Sequence, residues 1–142
     1  MKKVIFGFLV LSVVVISSCK KGVSNSWSFK GTTYGQTACV GSGGQLTAAS
    51  ANPSSTLTAN FYNGLLPTTG GTYTAVANPT TASQVALEIL VTSNGDDYIS
   101  TRGTVNLTVS GGKVSLSGSN INMTNTGGID TTSLNVNIAQ TQ

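Results

Sequence analysis

The chain has 142 residues, of which 39% are hydrophobic and 8% charged, and it contains no histidine. Its formal charge of +3 includes Lys2 and Lys3; the rest of the chain sets Lys20, Lys21, Lys30, Arg102 and Lys113 against Glu88, Asp96, Asp97 and Asp130, a nearly even balance. That excludes the clustered basic face of a nucleic-acid binder, and an apolar, weakly charged chain is not a disordered one.

The first element is a leader. Lys2 and Lys3 precede an apolar run from Val4 to Ile16, followed by Ser17, Ser18 and Cys19. A basic start, a short apolar stretch and small residues before a cleavage point form a secretory signal. The run is shorter than the ~20 residues that span a bilayer. The cysteine after Ile16-Ser17-Ser18 resembles the lipobox of bacterial lipoproteins. That resemblance implies removal of residues 1–18 as a signal peptide, acylation of Cys19 (palmitate among the chains) and a lipidated tether over 19–26. Residues 27–142 are then a single β domain, of a size that buries a core without metals or disulfides. Lys20 and Lys21 flank the anchor, where each would gain about 1 kcal/mol at an anionic lipid surface.

The mature part is rich in Ser, Thr, Asn and Gly and reads as short strands spaced by turn residues. This predicts an all-β fold, an antiparallel β-sandwich of roughly 8–10 short strands, with a calycin-like β-barrel as the alternative. Trp27, Phe29 and Gly31 share one face of a first strand ending near Tyr34. Gln45–Ser50 and Thr72–Ala77 are further strands. Leu57, Ala59 and Phe61 alternate with Thr58, Asn60 and Tyr62. The irregular stretch from Asn63 to Gly71, with Leu65-Leu66-Pro67, is the connection best suited to a functional loop. Val85, Leu87, Ile89 and Val91 form one face of a strand whose other face carries Leu90, which predicts cover on both sides. Val105, Leu107 and Val109, and later Leu134, Val136 and Ile138, complete the predicted core.

Turns follow from glycine. Gly111-Gly112 suits a two-residue hairpin that pairs Ser110 with Lys113, Val109 with Val114, Leu107 with Leu116 and Val105 with Gly118. Arg102-Gly103 reads as a second turn, pairing Thr101 with Thr104. Apolar parity shifts from even to odd after Gly118, which predicts a bulge or break at Gly118-Ser119-Asn120.

Chemistry is sparse. Without histidine, Ser-His-Asp and Cys-His nucleophile systems are excluded. No glycine-rich phosphate loop occurs, so nucleotide binding has no support. Four carboxylates leave little for a paired-carboxylate enzyme: Glu88 and Asp130 would face each other across a cleft only by chance, so an envelope enzyme with an unrecognised carboxylate site is the alternative reading. Asn94-Gly95-Asp96-Asp97 is a turn whose aspartates are the candidates for a weak cation or ligand contact, but it lacks the spacing of a calcium loop. Ser110-Gly111-Gly112-Lys113 has S-x-x-K spacing across a turn, where Ser and Lys cannot share a helical face, and is coincidence. Tyr62, opposite Phe61 and beside Asn and Thr, is the candidate for stacking on a sugar. Cys39 reads as a small buried core residue, with a reactive or intermolecular thiol as the alternative. Neither cofactor nor metal is called for.

The Ser18-Cys19-Lys20-Lys21 start resembles small lipoproteins of Bacteroidota. The series Phe61, Pro67, Gly71-Thr72-Tyr73, Val85, Tyr98-Ile99-Ser100, Gly103-Thr104-Val105 and Gly112-Lys113 resembles an uncharacterised all-β lipoprotein group there. Asp130-Thr131-Thr132 resembles the three-residue O-glycosylation site of periplasmic proteins in that phylum, with Thr131 as acceptor. The resemblance implies a lipid-anchored envelope protein that contacts the membrane through its lipid. Lys20-Lys21-Gly22-Val23 stands where surface-exported relatives carry acidic residues, which favours the periplasmic side of the outer membrane. The expected role is non-catalytic, with an envelope protein or glycan as partner, or structural.

Overall fold

The computed structural model describes residues 25–141; Cys19, the leader and the tether up to residue 24 lie outside them, and Ser26, expected as the last tether residue, opens the first strand. Eleven strands form: β1 (Ser26–Phe29), β2 (Thr32–Gly35), β3 (Ala38–Ser42), β4 (Gln45–Ala51), β5 (Ser54–Phe61), β6 (Gly71–Ala75), β7 (Gln84–Val91), β8 (Asp96–Arg102), β9 (Thr104–Ser110), β10 (Lys113–Asn125) and β11 (Thr131–Ala139). The fold is all-β, as the alternation predicts. All eleven strands belong to one hydrogen-bonded sheet, ordered β2-β1-β11-β10-β9-β6-β7-β5-β4-β3, with β8 joined to β10 and β7. Every pairing is antiparallel except a two-residue parallel contact, Thr74 with Gln84 and Ala75 with Val85. The path has free ends at β2 and β3, so the calycin-like closed barrel does not hold.

One face of this sheet is apolar and wraps around a single core. Trp27, Phe29 and Tyr34 from one end of the path share that core with Cys39, Leu46 and Ala48 from the other. The two halves of the sheet thus pack as the layers of a sandwich. Of the predicted core, Val85, Leu87, Ile89, Val91, Val105, Leu107, Leu134, Val136 and Ile138 are buried, and Val109 packs half-buried against them. Each large buried side chain contributes roughly 1.5–3 kcal/mol, which is why period-two alternation fixes the register. The outer face of β7 is open at Glu88, which is exposed, and at Leu90, which is 45% exposed, whereas Ala86 on the same face is buried, so the expected cover is met only at that end of the strand. One apolar residue on an outer face is ordinary surface composition, not a second layer.

The hairpin at Gly111-Gly112 has the predicted register throughout, from Ser110 with Lys113 to Val105 with Gly118. Both glycines have positive φ, +57° and +75°, and open space around them. Gly111→Val should therefore destabilise by about 1–2 kcal/mol, since a β-branched residue resists the left-handed region. Gly112→Asn should cost much less. Paired urea melts of the two variants check this; equal, negligible shifts would contradict it.

Arg102-Gly103 is not a turn. β8 and β9 are collinear halves of one bent strand, and both run antiparallel to the long β10. Gly103, at φ +149°, is the bend, and a Cβ there would lie 3.0 Å from Ile121 Cα. Glycine signals a backbone that other residues avoid, and a sharp bend needs that as much as a turn does. Opposite the bend, β10 carries the predicted bulge: its pairing with β11 shifts between Gly118 and Ile121, with Asn120 at φ +54°. On the outer edge of the bend β6 pairs with β9 while β7 pairs with β8, so the sheet forks. The buried Ser100 hydroxyl closes the fork, accepting from Leu87 N–H at 2.9 Å and donating to Val76 O at 3.0 Å.

The predicted first strand is likewise two strands. It folds back at Lys30-Gly31, with φ +48° and +76°, so that Trp27 pairs with Tyr34 and their rings stack at 5.7 Å. The seam between the sheet's ends is sealed by side chains that imitate backbone. The Gln36 amide donates to Ala139 O at 2.8 Å and accepts from Ala139 N–H at 3.1 Å. Thr141 donates its N–H to Cys39 O, and its hydroxyl oxygen accepts from Cys39 N–H at 3.1 Å. Satisfying edge groups in this way removes a template for unwanted strand addition.

Candidate functional site

Chain direction sorts the loops into two ends. One end carries the Lys30-Gly31 turn, the Thr92–Gly95 turn between β7 and β8, and the Thr126–Asp130 turn between β10 and β11. These three turns bring charged groups together. Lys30 Nζ lies 2.7 Å from Asp130 Oδ2 and 3.6 Å from Asp96 Oδ2. It also sits 4.5 Å from the centre of the Tyr98 ring, a cation–π geometry. Tyr98 is a buried ring packed edge-on against Phe29 at 4.9 Å, and its hydroxyl donates to Asp130 Oδ2. Asn125 fixes the turn below, its side-chain oxygen accepting from Ile129 N–H and Asp130 N–H. Asn94 holds Asp96 reciprocally, donating its amide to Asp96 Oδ2 and accepting from Asp96 N–H.

The electrostatics follow from these contacts. Hydrogen bonds from Lys30 and then Tyr98 hold the Asp130 carboxyl below the usual carboxylate range. Asp130, and behind it the hydrogen bond with Tyr98, holds the Lys30 ammonium above its ordinary value. The bond to Asp130 raises the Tyr98 hydroxyl. A depressed Asp130 stabilises the fold at pH above its unfolded pKa of about 4, and that contribution disappears as pH falls through the lower folded value. Raised Lys30 and Tyr98 stabilise below their unfolded pKa values of about 10, and lose the effect as pH rises beyond. Asp130→Asn should therefore lower Tm by a constant amount from pH 5 to 9, with the difference shrinking below pH 4 and above pH 10. Thermal melts of both proteins across that range check it; a pH-independent difference would contradict it.

The other end carries the Gly43-Gly44 and Gly111-Gly112 turns and the loop from Tyr62 to Gly70, which starts with a 3-10 turn over Tyr62–Gly64. Here lies a hollow of about 320 Å³ whose lining includes Phe61, Tyr62, Leu65, Leu66, Pro67 and Tyr73, together with the polar Asn63, Thr68 and Thr69. Tyr62 is 37% exposed and Leu65 71% exposed, while Leu66 packs on the core. Tyr73 meets Phe61 edge-on at 6.0 Å.

The sequence-derived candidates are therefore spread over the molecule. Tyr62 is in the hollow. Asp96 is in the charged cluster, but its neighbour Asp97 points to the opposite, outer face, beside Glu88, Leu90, Thr56 and Thr58. Thr131 opens β11 on the outer face, exposed in a shallow groove with Thr101, Asn122, Thr124 and Thr132. Glu88 lies mid-strand on β7, paired with Thr58 and Ile99, while Asp130 is in the end cluster. Cys39 is fully buried, and burial pushes its thiol up to about 11. Among the described residues no group of three or more Cys, Asp or Glu is arranged to hold a metal. Sequence reasoning missed Lys30 and Tyr98 as partners of Asp130; only Asp96 and Asp130 sat at turns legible in the sequence, and Lys30 fell inside the expected first strand.

No family model matches the chain, no curated protein matches it, and no solved structure matches its fold.

Proposed function

We propose that this is a lipid-anchored cell-envelope protein, acylated at Cys19, whose β domain has a non-catalytic role in binding an envelope protein or glycan, or in envelope structure. The periplasmic side of the outer membrane is the favoured location. The observation that carries the non-catalytic reading is the state of the titratable groups. Asp130 is held ionised and Lys30 held protonated, each neutralising the other. A general acid or base needs a pKa near the working pH, and both shifts run away from it. The Cys39 thiol, buried and raised, is far from a nucleophilic thiolate. Lys30, Asp96, Asp130 and Tyr98 instead tie three turns together, a structural use of the few charges that supports this reading.

The anchor is tested by Cys19→Ser. Without the thiol no thioether to a lipid can form, so fatty-acid label should be lost and the longer precursor, residues 1–142, should accumulate. A variant processed and exported like the wild type would overturn the proposal.

A further inference from the structure

We infer that the end of the domain that receives the tether docks on the bilayer surface, with Tyr62 and Leu65 seated at the boundary between headgroups and acyl chains. The inference rests on the lipid anchor at Cys19 and adds which face of the domain the anchor holds against the lipid.

Four observations converge. The first is where the described chain starts. Asn25 O accepts from Gln36 N–H at 2.8 Å, and the Gln36 side chain bonds Ala139 at the C-terminal end of β11. The next residue, Gln140, is on the same patch as the loop: a Cβ on Gly41 would lie 2.8 Å from both the Gln140 amide and Leu66 Cδ1. Tether and loop thus share one end of the sheet. The second is reach. Lys20 to Asn25 are six residues, which extend to about 21 Å at most. Strand β11, with nine residues at about 3.3 Å each, is about 30 Å long, more than the tether can span, so the tether holds its own end of the domain nearer the lipid than the opposite end.

The third is surface chemistry. Leu65 and Tyr62 are exposed side by side on this end, flanked by Pro67 and Tyr73. Tyrosine with an aliphatic neighbour suits the membrane interface, where a ring can bury its body and leave its hydroxyl wet. The fourth is charge. Asp96, Asp97 and Asp130 all lie at the opposite end, and Glu88 lies on the side of the body. Lys113 is on the tether end, its ammonium donating to Thr141 O at 2.8 Å, and Lys20 and Lys21 precede the domain. A cationic, carboxylate-poor end faces an anionic leaflet favourably. The charged three-turn cluster then points away from the membrane. Ile129, at 90% exposure, lies on that distal end and serves as the internal control.

The test uses the full lipidated protein in vesicles of phosphatidylethanolamine and phosphatidylglycerol carrying brominated acyl chains, with tryptophan placed by Leu65→Trp or Ile129→Trp. Trp27, 1% exposed in the core, gives the same background in both. Expected is a blue-shifted emission and several-fold greater quenching for Leu65→Trp than for Ile129→Trp. Mass spectrometry of the same preparations reports Cys19 acylation separately. Equal quenching at the two positions in acylated protein would overturn the docking and leave the anchor standing. A blue shift of Leu65→Trp that follows protein concentration without quenching would identify a second copy as the occupant and overturn it too. Unmodified Cys19 would overturn both.

Discussion

Gly44→Ala is expected to be among the most destabilising single substitutions in the domain, at about 4 kcal/mol or more. Gly43 and Gly44 form the β3–β4 turn at φ +53° and +75°. A side chain at either position carries the left-handed penalty of about 1–2 kcal/mol. Gly43 has open space, so Gly43→Ala should cost no more than that. At Gly44 a Cβ would collide with the backbone carbon and Cα of Gly64 and lie 2.5 Å from Leu65 N. Backbone cannot rotate away as a side chain can, so the Tyr62–Gly64 turn must be displaced. The Phe61 N–H bond to Gly44 O, 2.9 Å, is strained with it. Urea unfolding of the two alanine variants checks this, and equal midpoints would contradict it. Because the displaced turn carries Tyr62 and leads into Leu65, the same variant should also weaken the proposed docking on vesicles.

Leu107→Ala should cost about 2–5 kcal/mol, the range for large-to-small changes in a packed core. Leu107 is 2% exposed at the centre of β9, paired with Leu116 on β10 and Gly71 on β6. Three strands meet around it, so a cavity there has little freedom to collapse. Its neighbour Thr108 faces outward and is exposed; Thr108→Ala should shift stability by about 0.5 kcal/mol or less. Similar losses at the two positions would show that the outer face is also covered.

The parts of the fold legible in the sequence are those set by local rules. The β9–β10 hairpin was readable because two adjacent glycines and matched alternation on either side admit one register. The bulge after Gly118 was readable because the apolar parity changes there. Gly103 was misleading for a physical reason: a positive-φ glycine serves a bend and a turn alike, and the pairing of both β8 and β9 with β10 is what tells them apart. Lys30 was hidden because a lysine at φ +48° carries no turn signature. Its pairing with Asp130 and Tyr98 depends on three turns distant in sequence, which alternation cannot bring together. Tyr62 was legible as an outward residue, whereas its place at the same end of the sheet as Asn25 depended on the seam built by Gln36 and Thr141. Asp96 and Asp97 were legible as a turn pair facing opposite ways, but the partner of Asp96 was not.

A β head held to the envelope by a lipid at Cys19 is the central proposal. The most direct measurement is the intact N-terminal peptide of the protein purified from membranes. Mass spectrometry should find Cys19 as the first residue, bearing acyl chains. An unmodified N-terminus at any other residue would contradict the account and leave a head without an anchor.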